Sequence, residues 1–213
     1  RGLGDVYKRQ GQPVFREASE DRQRLQNIFR KLMRFTAFVS FPAMLGLAIV
    51  SQELIVISIT EKWLPCVPVM QILCVWGAFM PISTLYSNLM NSIGRPNVYM
   101  WNTIALGIFQ LLCVWGSYPY GLNVMLIVYT AANIFWLLIW HYFAHKHIGI
   151  SLLNTLKDIA PYLIISVAVM TFTYWVAGYV KNIYLSLLVK IALAASLYIF
   201  LMWSLKSTVF RES

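Results

Sequence analysis

With 213 residues, 59% of them apolar and only 12% charged, and a mean hydropathy of +0.65, the chain carries far more apolar surface than a core of this size can hide. An ordinary soluble domain is about 25% charged, so a water-soluble globule is excluded. The net charge of +9 does not point to nucleic acid: nine of the 17 basic residues fall in the first 34 positions and the rest lie mostly at the ends of apolar stretches, as lysines and arginines beside a membrane do.

Several apolar stretches reach the roughly 20 residues that a helix needs to cross a hydrocarbon layer about 30 Å thick. They are continuous rather than alternating, which selects helices over a barrel. The expected fold is all-α and polytopic, with six spans at about 32–50, 67–93, 98–115, 122–143, 159–177 and 183–205. Residues 1–10 do not continue the pattern that follows and are read as a non-native tail at the end of a truncated reading frame. Residues 11–34 form a cytoplasmic approach. Within it Asp21 is placed to cap a helix whose apolar face holds Leu25, Ile28, Phe29 and Leu32.

The first span contains Pro42 and Gly46, and residues 54–60 after it are apolar but too short to cross. The second span has Pro81 near its middle and ends in the turn Gly94-Arg95-Pro96, glycine for a left-handed cap and proline as a stop. A short loop with Pro119 separates the third and fourth spans, a polar connection at 145–158 separates the fourth and fifth, and a charged tail at 206–213 ends the chain. The approach helix, Arg95, Lys146, Lys157, Lys206 and Arg211 fall on one side of this topology, Lys62 and Lys181 on the other. The asymmetry alternates through all six spans, so both termini of the chain are expected in the cytoplasm. Trp63, Trp101, Trp115, Trp140 and Trp203 stand near span ends, as in an aromatic belt.

The second span carries a polar pattern. Gly77, Pro81, Thr84, Asn88, Asn91 and Arg95 recur at steps of four and three and share one helical face. Such a stripe facing lipid is unfavourable; it packs on another helix with interhelical hydrogen bonds, or it lines a cavity that meets sugar hydroxyls or phosphate. Asn102 and Gln110 on the third span and Asn133 on the fourth share that ambiguity. Lys190, the charge inside the sixth span, either snorkels to the outer interface or opposes a pyrophosphate. The candidate contacts are therefore Gln71, Thr84, Asn88, Asn91, Arg95, Asn102 and Lys190.

His141, His145 and His147 have spacing that admits a metal but no nearby carboxylate or cysteine to complete a site, and are read as interface histidines. Cys66, Cys74 and Cys113 read as small apolar residues. No phosphate-binding loop of an ATPase occurs. No acid falls inside a predicted span, and the acidic clusters of membrane enzymes are missing. The expectation is a protein that is not an enzyme and holds no cofactor, with any ion-coupling carboxylate in a portion outside this chain.

Particular residues carry a resemblance. Gln12-Pro13-Val14-Phe15 followed by Glu20-Asp21-Arg22 looks like the loop before a membrane helix in polysaccharide transport proteins. Phe41-Pro42 with Gly46-Leu47-Ala48 resembles the next helix. Most specific are Thr60-Glu61-Lys62-Trp63-Leu64-Pro65, Val67-Pro68, Gln71-Ile72-Leu73, and Asn91 with Gly94-Arg95. Together they resemble the oligosaccharide flippase family of the multidrug/oligosaccharidyl-lipid/polysaccharide exporter superfamily, in its C-terminal half. The resemblance implies one helix bundle of a two-bundle transporter in the bacterial inner membrane. The missing N-terminal bundle, membrane lipids and a polyprenyl-pyrophosphate-linked oligosaccharide would be its partners. A drug or metabolite exporter of the same superfamily is the alternative; a membrane enzyme of polysaccharide assembly fits less well, since the longest outer connection, 51–66, is short.

Overall fold

The computed structural model describes residues 22–180 and 182–204. The chain is all-α and membrane-spanning, with six helices long and apolar enough to cross a bilayer among the described residues. In chain order the helices are α1 (Arg22–Ile49), α2 (Ser51–Ser58), which is too short to cross, a 3-10 segment (Glu61–Cys66) running into α3 (Val67–Ser92), then α4 (Pro96–Ser117), α5 (Leu122–Ile148), α6 (Leu152–Ala177) and α7 (Ile183–Ser204). Pro42, Pro81 and Pro161 lie inside α1, α3 and α6. Membrane helices tolerate prolines because neighbouring groups take up the freed carbonyls.

The chain divides into two compact units, one of Arg1–Thr36 with Met80–Ile159 and one of Ala37–Phe79 with Ala160–Ser213. The boundaries fall inside α1, α3 and α6, so each of these helices serves both units with different stretches. In the first unit Leu25, Phe29 and Met33 of α1 are buried at steps of four, together with Tyr86, Leu89 and Met90 of α3 and Trp140, Ala144 and Ile148 of α5. Ile28 and Leu32, expected on the same face, are only half-buried at its edge. In the second unit Phe41 packs edge-on against Phe79 at 5.2 Å, and Val169, Met170, Ala194, Tyr198 and Met202 are buried.

Three turns follow from glycine. Gly94 and Gly149 adopt φ values of +72° and +76°, the left-handed cap conformation that costs other residues about 1 kcal/mol or more. Gly94 and Pro96 make the expected turn between α3 and α4, with Arg95 N–H donating to Met90 O at 3.1 Å. Gly149 closes α5, and the Gln26 side chain from α1 donates to the Ile148 carbonyl beside it. Gly121, at φ +90°, connects the loop to α5.

Several expectations change. The polar connection at 145–158 is mostly helix: α5 continues to Ile148, α6 begins at Leu152, and Asp158 sits in the second turn of a membrane-length helix. An acid therefore does lie within a span. Trp140 is no belt residue; it is 2% exposed and stacks on Tyr99 at 6.3 Å. Trp63, Trp101, Trp115 and Trp203 are exposed as a belt requires. α4 is the least buried of the six spans, with Leu111, Leu112 and Trp115 outward, the surface of a helix bathed in lipid. Residues 1–10, the candidate cap Asp21, and Lys181, Lys206, Arg211 and the tail at 206–213 lie outside the described residues.

Candidate functional site

In the first unit α3 presents two unlike faces. Ile82, Tyr86, Leu89 and Met90 are buried; Tyr86 packs on Phe29 at 5.2 Å and shares a hydrogen bond with His141 Nδ1 at 3.1 Å. The other face carries Thr84, Asn88 and Asn91, with Arg95 in the turn beyond. Thr84 and Arg95 are exposed and the two asparagines half-exposed. Thr84 bonds back to Met80 O at 3.1 Å, which satisfies its hydroxyl within the helix. Among the described residues the side-chain amides of Asn88 and Asn91 and the guanidinium of Arg95 have no hydrogen-bond partner. The stripe thus faces away from the core that buries the rest of α3, and it offers amide donors and acceptors in a row that ends in a cation.

Asn102, Gln110 and Asn133 take a different part. Asn102 is buried and accepts from Trp136 Nε1 at 2.9 Å. Gln110 donates to Asn133 Oδ1 at 2.8 Å, and Asn133 donates to Tyr129 O at 2.8 Å. These residues join α4 to α5, so of the two readings the interhelical bond describes them, and Asn102 does not line an open surface. The histidines also have separate duties. His145 Nδ1 lies 2.9 Å from Ile150 O, a bond across the α5–α6 corner, and His147 Nδ1 lies 2.9 Å from Phe143 O within α5.

The first unit also holds a charge cluster that sequence reasoning missed. Arg30 meets Asp158 through Nε at 2.6 Å and Nη2 at 3.1 Å, and Arg34 reaches the same carboxylate at 3.3 Å. Arg22 adds a bond to His147 O at 2.8 Å. The basic approach helix is therefore docked onto the α5–α6 corner. Arg30 and Arg34 at i, i+4 on α1 were the visible half of this signal; Asp158 was hidden by its assignment to a loop.

In the second unit Gln71 is exposed and reaches Ala48 O at 3.4 Å, a long bond between α3 and α1. Lys190 turns inward to protein partners rather than snorkelling. It is 5% exposed and is held by Glu53 Oε1 at 2.5 Å and by Ile49 O at 2.9 Å. The Tyr174 ring lies 5.2 Å from its nitrogen. Ser186 Oγ donates to the same Glu53 oxygen at 2.9 Å. A lone lysine inside a span calls for a partner. Glu53, which lies outside the predicted spans, is that partner, brought over by helix α2.

Among the described residues these features define an all-α multi-pass membrane protein with a polar face that lacks side-chain partners and two charge clusters. Comparison with known proteins finds that part of it is similar to proteins named for polysaccharide biosynthesis. Residues 3–68 match the family described as polysaccharide biosynthesis protein, a match that takes in residues 3–10. The chain is 33% identical over 78 residues to an uncharacterized membrane protein in the cps region of Klebsiella pneumoniae, covering 37% of this chain and 16% of that protein. It is 31% identical over 86 residues to the lipopolysaccharide biosynthesis protein WzxC of Escherichia coli, covering 40% and 18%. It is 24% identical over 108 residues to the teichuronic acid biosynthesis protein TuaB of Bacillus subtilis, covering 50% and 22%. The aligned stretches are thus less than a quarter of each relative's length. No solved structure matches the chain. These matches bear out the resemblance to the polysaccharide biosynthesis and flippase family read from the sequence.

Proposed function

We propose that the chain is part of a flippase that moves polyprenyl-pyrophosphate-linked oligosaccharide repeat units across the bacterial inner membrane, for the assembly of O-antigen, capsule or exopolysaccharide. It acts as a transporter rather than an enzyme, with both ends of the chain on the cytoplasmic side. The task is to carry a polar sugar and a charged pyrophosphate through hydrocarbon while the lipid tail remains in it. A polar wall exposed alternately to each membrane face performs it.

The observation that carries this reading is the uncovered face of α3. Asn88 and Asn91 have no side-chain partner among the described residues, and Arg95 stands exposed beyond them. Facing lipid, such groups cost several kcal/mol; facing a watery cavity, they bond hydroxyls and phosphate. In this role Thr84, Asn88 and Asn91 form the wall and Arg95 meets phosphate at its mouth. A helix bundle absent from this chain supplies the opposite wall.

The test uses the longer protein in a bacterium lacking its own oligosaccharide flippase, with periplasmic delivery of lipid-linked repeat units as the readout. Wild type restores delivery. Asn88→Leu and Arg95→Ala insert normally and lose about tenfold or more, since a hydrogen bond to a charged group is worth about 1.5–3 kcal/mol. A wild type that inserts yet delivers none of several glycans would sink the reading and raise drug or metabolite export in its place.

A further inference from the structure

The second unit holds two cavities that share Lys190. One, of about 370 Å³, is lined by Gln52, Glu53, Tyr174, Ser186 and Lys190 and by Gly178 and Val180 of the turn after α6. The other, of about 600 Å³, is an apolar groove between α1 and α7, walled by residues such as Phe38, Ala43, Gly46, Ala194 and Tyr198. Both volumes fall within the roughly 300–1,000 Å³ of small-molecule sites.

The groove has two ends. At one, Lys190 Nζ donates to Ile49 O at 2.9 Å; at the other, Tyr198 hydroxyl donates to Phe38 O at 2.9 Å. At about 1.5 Å per residue the walls between these ties run about 12 Å along α7 and about 16 Å along α1. One leaflet's share of a hydrocarbon layer about 30 Å thick is about 15 Å. The polar cavity lies where α1 gives way to α2 and α6 turns into α7, at the ends of spans, which is the depth of lipid headgroups.

The chemistry of the polar cavity narrows the occupant. Glu53 is 7% exposed, and its Oε2 is buried with no hydrogen-bond partner although the residue lines the cavity. A buried carboxylate oxygen without a donor is unfavourable. Lys190 spends two of its three N–H donors on Ile49 and Glu53 and rests the charge against the Tyr174 ring. The site is neutral overall and holds one acceptor beside one cation. A headgroup that is itself neutral overall, with an ammonium for Glu53 and a phosphate near Lys190, is its complement.

We propose that unit two binds a phospholipid with a primary-ammonium headgroup, phosphatidylethanolamine being the probe, its acyl chain in the α1–α7 groove and its ammonium on Glu53 Oε2. The site shares no residue with the polar face of α3, and it stands whether or not the chain serves a flippase.

Native mass spectrometry of the chain released from nanodiscs tests this. The nanodiscs contain equal parts phosphatidylethanolamine, phosphatidylcholine and phosphatidylglycerol. Wild type retains phosphatidylethanolamine about tenfold over the other two, the preference expected of one charge-assisted hydrogen bond. Phosphatidylcholine has the same net charge without an N–H, so equal retention of the two would overturn the assignment. Preference for phosphatidylglycerol, or retention of no lipid, overturns it as well. Ala195→Trp, from the exposed edge of the groove, removes all retention. The double variant Glu53→Gln/Lys190→Met leaves no buried charge behind and folds; it keeps lipid in the groove but loses the headgroup preference. A double variant that still prefers phosphatidylethanolamine would place the selectivity elsewhere.

Discussion

The two units handle charge in opposite ways. The described part of the first has eight lysines and arginines against one acid, Asp158, which two arginines share. The described part of the second has two acids and two lysines, and its internal pair, Glu53 with Lys190, is matched one to one. In the first unit the arginine side chains keep 33% and 17% of their surface exposed; in the second the pair keeps 9% and 6%. An unbalanced, partly wet cluster is suited to holding one end of a bundle at an anionic leaflet. A balanced, dry pair leaves no net charge in the protein interior, and its value depends on both partners being present.

That difference is broken most forcefully at Glu53. Glu53→Gln or Lys190→Met alone leaves one buried charge without a counter-ion and costs about 3–5 kcal/mol. The double variant sits within about 1 kcal/mol of wild type, because replacing a buried pair by neutral groups is often neutral. Thermal unfolding of the detergent-solubilised chain measures all three. Equal losses in single and double variants would mean that the pair is not matched as described. Acid gives a graded version. Burial pushes the Glu53 carboxyl up, but hydrogen bonds from Lys190, the backbone and Ser186, with the lysine charge, hold it below the usual glutamate range. A depressed folded value means that the pair's stabilisation is complete above the unfolded value and is lost as pH falls from there through the folded one. Wild type should lose stability over that acid window while the double variant stays flat in its Glu53-dependent part; parallel curves would contradict the assignment.

A smaller effect is expected in the first unit. Asp158→Asn removes the charged acceptor of Arg30 and Arg34, but both arginines reach solvent or headgroups, so the loss is about 1–2 kcal/mol, below that of a sealed pair. It also shrinks in high salt, where exposed charges are screened within about 3 Å at 1 M. The Glu53 variants should be insensitive to salt. If Asp158→Asn proves as costly as Glu53→Gln and as indifferent to salt, the contrast between the units fails.

The contrast also marks what the sequence revealed. Six apolar runs, the glycine turn at 94–96 and the polar step pattern from Thr84 to Arg95 depend on local composition, and each appears in the fold. Asp158 escaped because a polar run, His145 to His147 and Asn154 to Asp158, resembles a loop; α6 extends through its second half because Arg30 and Arg34 satisfy the acid. Glu53 escaped because its partner is 137 residues away, a separation that no periodicity encodes. Lys190 alone gave the warning, as a charge in a span with no visible partner. Trp140 was misplaced for a similar reason: nearness to a span end says nothing of which face the ring occupies.

The smallest predicted effect carries the same distinction to uncharged groups. Asn102 and Asn88 are both asparagines in membrane helices, yet one is buried with its oxygen on Trp136 and the other is half-exposed without a side-chain partner. Interhelical hydrogen bonds in membranes average about 0.6 kcal/mol, because the separated helices find other partners. Asn102→Leu should therefore lower stability by about that amount, visible as a slightly lower unfolding midpoint, and leave repeat-unit delivery by the longer protein unchanged. Asn88→Leu should leave the midpoint unchanged, since it removes no bond, and lower delivery. Swapped outcomes would assign the packing role to the α3 stripe and the cargo contact to the α4–α5 seam.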